Sequence, residues 1–184
     1  MAIAEHCLQE GAKVTFFHGP GSLFPRRRAA LEIIEIETVD DLLSALKARL
    51  RKDRYDVFFH AMAVLDYVPQ KGLKGKIRSG KESLTIRLVR TPKVINLIKQ
   101  LSPETVLVAF KLEVDATRAQ LAEAAKKMMR SSKADFVLAN DLRTVQKTRH
   151  TGYLLDRDGD FRGPLKGKES IAKALVAAVK KELS

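Results

Sequence analysis

Three short stretches hold the residue types that could do chemistry. The first runs from His60 to Gly80 and reads HAMAVLDYVPQKGLKGKIRSG. It starts on small residues, Ala61 and Ala63 around Met62, which let a ligand come close to the backbone. Asp66 is a lone carboxylate where the chain turns. Lys76 follows on a glycine-rich loop, and a lysine on such a loop can close over an anion such as a phosphate. The second stretch is Phe110-Lys111-Leu112-Glu113 and the third is Asn140-Asp141. Lysines so placed can hold a triphosphate, and a carboxylate can hold a sugar hydroxyl or a magnesium shell. An aromatic ring such as Phe110 can pack against a base. A lysine-rich loop between strands is also an ordinary solvated connection. Its neighbours in the fold decide between the two readings.

Each stretch closes an apolar run. Asp56 to Val64 is near-continuously apolar and predicts a central parallel strand covered on both faces. Val106 to Phe110 and Ala134 to Asp141 predict two more buried strands. Lys13–His18 and Leu31–Ile36 read as strands before them. Leu84–Arg90 alternates like a strand with one wetter face, and Thr151–Asp156 with Gly159–Arg162 reads as a hairpin. Helices fall between these runs. Thr38 can cap a helix that carries Leu42, Leu46 and Leu50 on one face, and Thr91-Pro92 opens another with proline at its first position. Ala116 to about Arg130 and Glu169 to Leu183 complete the set, after an opening helix at Met1–Glu10. The alternation predicts an α/β fold: a doubly wound, Rossmann-like, mainly parallel sheet with helices on both faces and a C-terminal β-hairpin. In such sheets ligands bind just beyond the carboxyl ends of the strands, where all three stretches fall. No repeat or linker interrupts the 184 residues, so residues 1–184 read as a single domain.

Composition narrows the function. The formal charge of +12 favours anionic partners: nucleic acid, acidic membranes or phosphorylated small molecules. The cations are scattered apart from Arg26-Arg27-Arg28, and no aromatic-rich strand offers bases a stacking platform, so nucleic acid is not signalled. No apolar run is long enough to span a bilayer and no signal-peptide pattern opens the chain. The lone Cys7 cannot form an internal disulfide, which fits a reducing cytoplasm. A Walker phosphate loop, a GxGxxG turn, a CxxC pair and a nucleophile elbow are all absent from the sequence. His6, His18, His60 and His150 lack metal-ligand spacing, so no protein metal centre is expected. His60 reads as a packed strand-end histidine and His150 as a loop anchor.

Five motifs occur in order: His60-Ala61-Met62-Ala63-Val64-Leu65-Asp66-Tyr67, then Lys76-Ile77, Thr91-Pro92-Lys93-Val94-Ile95, Ala109-Phe110-Lys111-Leu112-Glu113, and Ala134 to Leu142. Together they resemble the phosphopantothenate–cysteine ligase family (phosphopantothenoylcysteine synthetase) of coenzyme A synthesis, in its stand-alone bacterial form. The resemblance implies that CTP, with ATP as the alternative, activates the carboxylate of 4'-phosphopantothenate as an acyl-nucleotide. L-cysteine then displaces the nucleotide, with Mg2+ assisting. It also implies a homodimer.

By resemblance, His60, Ala61 and Met62 line the nucleotide site, Asp66 holds the nucleotide, and Lys76 reaches the phosphates and is the catalytic candidate. Pro92, Lys93, Val94 and Ile95 bring a helix start to the anion. Phe110 contacts the nucleotide, Lys127 and Lys133 stand against the family's phosphate-binding lysines with a different spacing, and Lys111 and Asn140 are assigned to substrate. The family's opening strand, glycine-rich turn and asparagine have no counterpart here, so the chain reads as shortened at its start. Leu65 stands where a small residue is usual, and Ser79 where some members have lysine. Two other functions fit the same residues: a nucleotide- or phosphopantothenate-binding module without the chemistry, and a basic nucleic-acid-binding α/β domain.

Overall fold

The computed structural model describes residues 1–26, 29–71, 80, 83–145 and 150–184. Its centre is a five-stranded sheet in the order β3-β6-β7-β8-β9. These strands are Val57–His60, Val106–Glu113, Phe136–Asp141, Thr151–Leu155 and Phe161–Lys166. The first three run parallel, and β8 and β9 return antiparallel as the expected hairpin. β1 (Val14–His18) pairs in parallel with β2 (Leu31–Glu35), and β4 (Tyr67–Pro69) pairs antiparallel with β5 (Leu88–Arg90), each as a separate two-stranded sheet.

Period-two side chains split the core into two layers. Val106, Val108, Phe136 and Leu138 face Ile171, Leu175 and Val179 of α5 (Lys168–Leu183), with Ile3 of α1 (Ala2–Gln9) beside them. Leu107, Ala109, Val137 and Ala139 face the other way, onto Ile95 and Ile98 of α3 (Val94–Leu101) and Leu121 and Ala125 of α4 (Arg118–Ser132). Each fully buried aliphatic side chain contributes about 1.5–3 kcal/mol relative to exposure. The stability of the sheet therefore sits in β6 and β7. Gly152 of β8 has a packing reason: a Cβ there would meet Leu138 Cδ1 at 3.0 Å, beneath Ile171 of α5.

Two helices start on complete capping boxes. Thr38 accepts from Asp41 N and Asp41 accepts from Thr38 N at the head of α2 (Val39–Lys52). Thr117 and Gln120 do the same for α4. Each box satisfies backbone donors that a helix start leaves free.

Several expectations change. The Asp56–Val64 run is not a central strand: β3 stops at His60 and forms the edge of the five-stranded sheet, half-buried along its length. An apolar run reports burial of both faces, which does not fix a strand's place in the sheet. The Leu84–Arg90 strand shrinks to Leu88–Arg90 and pairs with Tyr67–Pro69, away from the main sheet. Pro92 is not the first residue of its helix; Lys93 is the N-cap and α3 starts at Val94. β1 and β3 do not pair and belong to separate sheets. The two are tied by Thr15 Oγ1 and the Tyr55 hydroxyl at 3.2 Å, and by Phe17 and Phe58 packing on the Leu42, Leu46 and Val94 cluster.

Candidate functional site

The carboxyl ends of β3, β6 and β7 bring His60, Phe110 and Asn140 to one edge of the sheet. The chain leaves β3 through Ala61, which is exposed, and Met62, which packs on the Leu42, Leu46 and Val94 cluster. It then reaches Asp66, exposed at the start of the β4–β5 ribbon.

Asp66 is held on both sides. Its Oδ1 accepts from Lys93 Nζ at 2.5 Å, and its backbone oxygen accepts from Thr91 N at 2.9 Å. The Thr91 hydroxyl donates to Leu65 O at 2.5 Å. The Lys93 ammonium keeps the Asp66 carboxyl below the usual carboxylate range. The segments 65–66 and 91–93 are therefore stitched together, 26 and 27 residues apart in the chain. α3 begins at the next residue with no side-chain cap. Val94 and Ile95 turn their side chains into the core, so they offer the site only backbone N–H groups. An uncapped helix start favours an anion, and the Lys93 ammonium beside it is shared with Asp66.

The three strand ends differ in character. His60 is half-buried, its Nε2 has no partner among the described residues, and burial pushes its imidazole below the ordinary value. It is neutral at pH 7. Phe110 is half-buried on the α5 side of the sheet. Lys111 Nζ pairs with Glu113 at 3.1 Å. Asn140 is buried, and its Nδ2 stands 3.3 Å from His150 Nε2.

Not every expected residue reaches this edge. Lys76 lies outside the described residues. α4 starts at the ligand edge, and its 15 residues carry the chain back roughly 20 Å to the opposite edge, because β6 and β7 are parallel. Lys127 is exposed far along that helix, and Lys133 is its left-handed C-cap beside the start of β7. Both lie away from Asp66 and Lys93. The described residues contain no cluster of His, Cys, Asp or Glu able to hold a metal ion. Asp66 is a single carboxylate already paired with Lys93, so the described residues do not form a magnesium site of their own.

Sequence reading missed the Thr91–Leu65 bridge and the contact of His150 with Asn140. No sequence signal marks either, since both act through a partner distant in the chain. It also missed a cleft of about 140 Å3 between the start of α4 and the β7–β8 end, where Arg118 lies over the Tyr153 ring and Arg143 pairs with Asp141. That cleft is two strands from β3, and its Arg143 is neutralised by Asp141 and Asp115.

The same fold occurs in solved structures. The DNA/pantothenate metabolism flavoprotein of Streptococcus pneumoniae superposes with a TM-score of 0.88 at 30% identity, over 98% of this chain and 86% of that one. A Cab2 mutant in complex with phosphopantothenate-cysteine shares the fold, with a TM-score of 0.77 at 20% identity over 98% of this chain and 76% of that one. Among curated proteins, the coenzyme A biosynthesis bifunctional protein CoaBC of Thermococcus kodakarensis is 33% identical over 185 residues. That alignment takes in 100% of this chain and 44% of that protein. CoaBC of Bacillus subtilis is 26% identical over 142 residues, covering 77% of this chain and 33% of that protein. The chain thus spans less than half the length of these curated relatives. No helix among the described residues is long and apolar enough to cross a membrane. Residues 1–183 match the DNA/pantothenate metabolism flavoprotein C-terminal domain, and with these relatives they place the chain in the phosphopantothenoylcysteine synthetase domain family of coenzyme A biosynthesis.

Proposed function

We propose that this chain is a ligase that joins 4'-phosphopantothenate to L-cysteine through an acyl-nucleotide, with CTP as the activating nucleotide and ATP as the alternative. The carboxylate oxygen of phosphopantothenate attacks the α-phosphorus, the bond to the β-phosphate oxygen breaks, and pyrophosphate leaves. The amine of cysteine then attacks the acyl carbon, the amide forms, the nucleoside monophosphate leaves and a proton passes to solvent. The observation that carries this reading is the Asp66–Lys93 pair set against the uncapped start of α3 at the carboxyl ends of the strands. Fixed N–H groups at a helix start stabilise the charge that develops on a departing pyrophosphate. Lys76 is assigned to the phosphates, Phe110 to the base, and Lys111 to the substrate side. Magnesium arrives on the triphosphate in this proposal, and no step is assigned to it.

The proposal extends to a homodimer working in the cytoplasm. Tyr67, Leu84, Ile86 and Leu88 are each half or more exposed, and a cluster of large exposed apolar residues fits a surface covered by a second copy.

Calorimetric titration of CTP and ATP into the parent chain and Asp66→Asn tests the site. Nucleotide binding that weakens roughly tenfold in Asp66→Asn, the loss expected for one hydrogen bond to a charged group, supports it. Equal affinity in the two chains overturns the assignment of Asp66.

A further inference from the structure

Asn140 closes β7 at the ligand edge with 7% of its surface exposed. Its carboxamide has two distinct ends. Nδ2 faces His150 Nε2 at 3.3 Å. Oδ1 accepts from no described residue, and it is not among the side-chain atoms sealed from solvent without a partner. The ring that meets Nδ2 is placed from its backbone: Gly167 N, at the head of α5, donates to His150 O at 2.7 Å, and the next residue, Thr151, pairs with Lys166. Burial and the nearby Lys168 push the imidazole below its ordinary value, so the ring is neutral at pH 7.

A neutral ring has one N–H and one lone pair. With Nδ2 donating to Nε2, the proton must sit on Nδ1, which is buried and has no acceptor among the described residues. An orphaned buried donor is unfavourable, and such exceptions call for a reason. Here the reason is the other end of the amide.

We propose that His150 is a positioning residue that holds the Asn140 carboxamide by its nitrogen, so that Oδ1 is offered at the ligand edge as an acceptor for an N–H or O–H donor of the bound nucleotide. The inference rests on reading these strand ends as a nucleotide site.

The test joins nitrogen-15 NMR of the imidazoles with calorimetric binding of CTP. In the ligand-free protein the His150 proton is expected on Nδ1; a proton on Nε2 overturns the proposal. His150→Phe keeps an aromatic ring but accepts nothing, and it is expected to weaken CTP binding about five- to tenfold. Asn140→Ala is expected to show the same loss, and the double variant no more than that. His150→Gln, whose side-chain oxygen can accept from Nδ2, is expected to recover most of the affinity, which a purely structural role of the ring would not give. Full affinity in His150→Phe together with a loss in Asn140→Ala overturns the positioning role alone. Parent-like binding in Asn140→Ala overturns it as well, while Asp66→Asn continues to report on the site itself. Titration of UTP, which lacks the base amino group, of 2'-deoxy-CTP and of 3'-deoxy-CTP tells which donor meets Oδ1: the matching analogue loses affinity in the parent but not in Asn140→Ala. No loss of affinity in the parent with UTP, 2'-deoxy-CTP or 3'-deoxy-CTP overturns the proposal.

Discussion

Asp141 is 5% exposed at the end of β7, yet it is spent on holding the chain together. Its carboxylate accepts from the Arg143 guanidinium at 2.8 Å, from Arg143 N at 2.9 Å and from Ala116 N at 2.8 Å. Those bonds lower its pKa from 3.8 to about 2, the Arg143 side chain contributing most. A carboxyl depressed in the folded state stabilises the fold fully above its unfolded value, and that contribution is lost as pH falls through the folded value. The midpoint of urea unfolding is therefore expected to fall between pH 4 and pH 2, and Asp141→Asn is expected to flatten the curve across that window. Parallel curves for the two chains would contradict the assignment. The Asn140-Asp141 pair shows how far sequence could go. Both residues were legible as polar groups on a buried strand's end. Their division of labour was not, because it depends on Ala116, Arg143 and His150, which only the fold brings near. Asp66 was read as a lone carboxylate for the same reason: Lys93 lies 27 residues on.

At the scale of elements, the edge opposite the proposed site is locked by one buried carboxylate. Asp135, 5% exposed just before β7, accepts from Leu107 N of β6 at 2.6 Å. It pairs with Lys99 of α3 at 2.8 Å and with Arg157 of the β8–β9 turn at 2.5 Å, and Arg157 pairs in turn with Glu182 of α5. The Lys99 side chain is only 12% exposed, so removing its partner strands a charge in the interior. Asp135→Ala is expected to lose about 3–5 kcal/mol in urea unfolding, with m unchanged. A loss below about 1 kcal/mol would show that Asp135 does not clamp these elements. The helices themselves were legible because apolar stripes and the Thr38 cap are local signals; the Thr117 cap, which moves the start of α4 from Ala116 to Arg118, was not read. Strand order was not. β3 is as apolar as a central strand, but its partner on one side is β6 and on the other side there is none among the described residues. Burial of both faces by helices gives the same run of residues at an edge as at the centre.

For the whole molecule, the layers serve a division of space. Apolar β6 and β7 with α3, α4 and α5 form the rigid part, and the Asp135 cluster closes its far edge. The near edge carries the Asp66–Lys93 pair, the open start of α3, Phe110 and the Asn140–His150 pair, with the β4–β5 ribbon standing outside the main sheet. A net charge of +12 favours anionic ligands, and salt is expected to weaken that attraction. The family was legible because its motifs are short runs contiguous in the chain, which need no fold to be seen. The central claim is that these strand ends activate a carboxylate with a nucleoside triphosphate. Pyrophosphate release by the purified chain, measured with CTP and magnesium in the presence and absence of 4'-phosphopantothenate, tests it most directly. Release that requires phosphopantothenate, before any cysteine is added, is the predicted result. Well-folded protein that binds CTP but releases no pyrophosphate with phosphopantothenate present would contradict it.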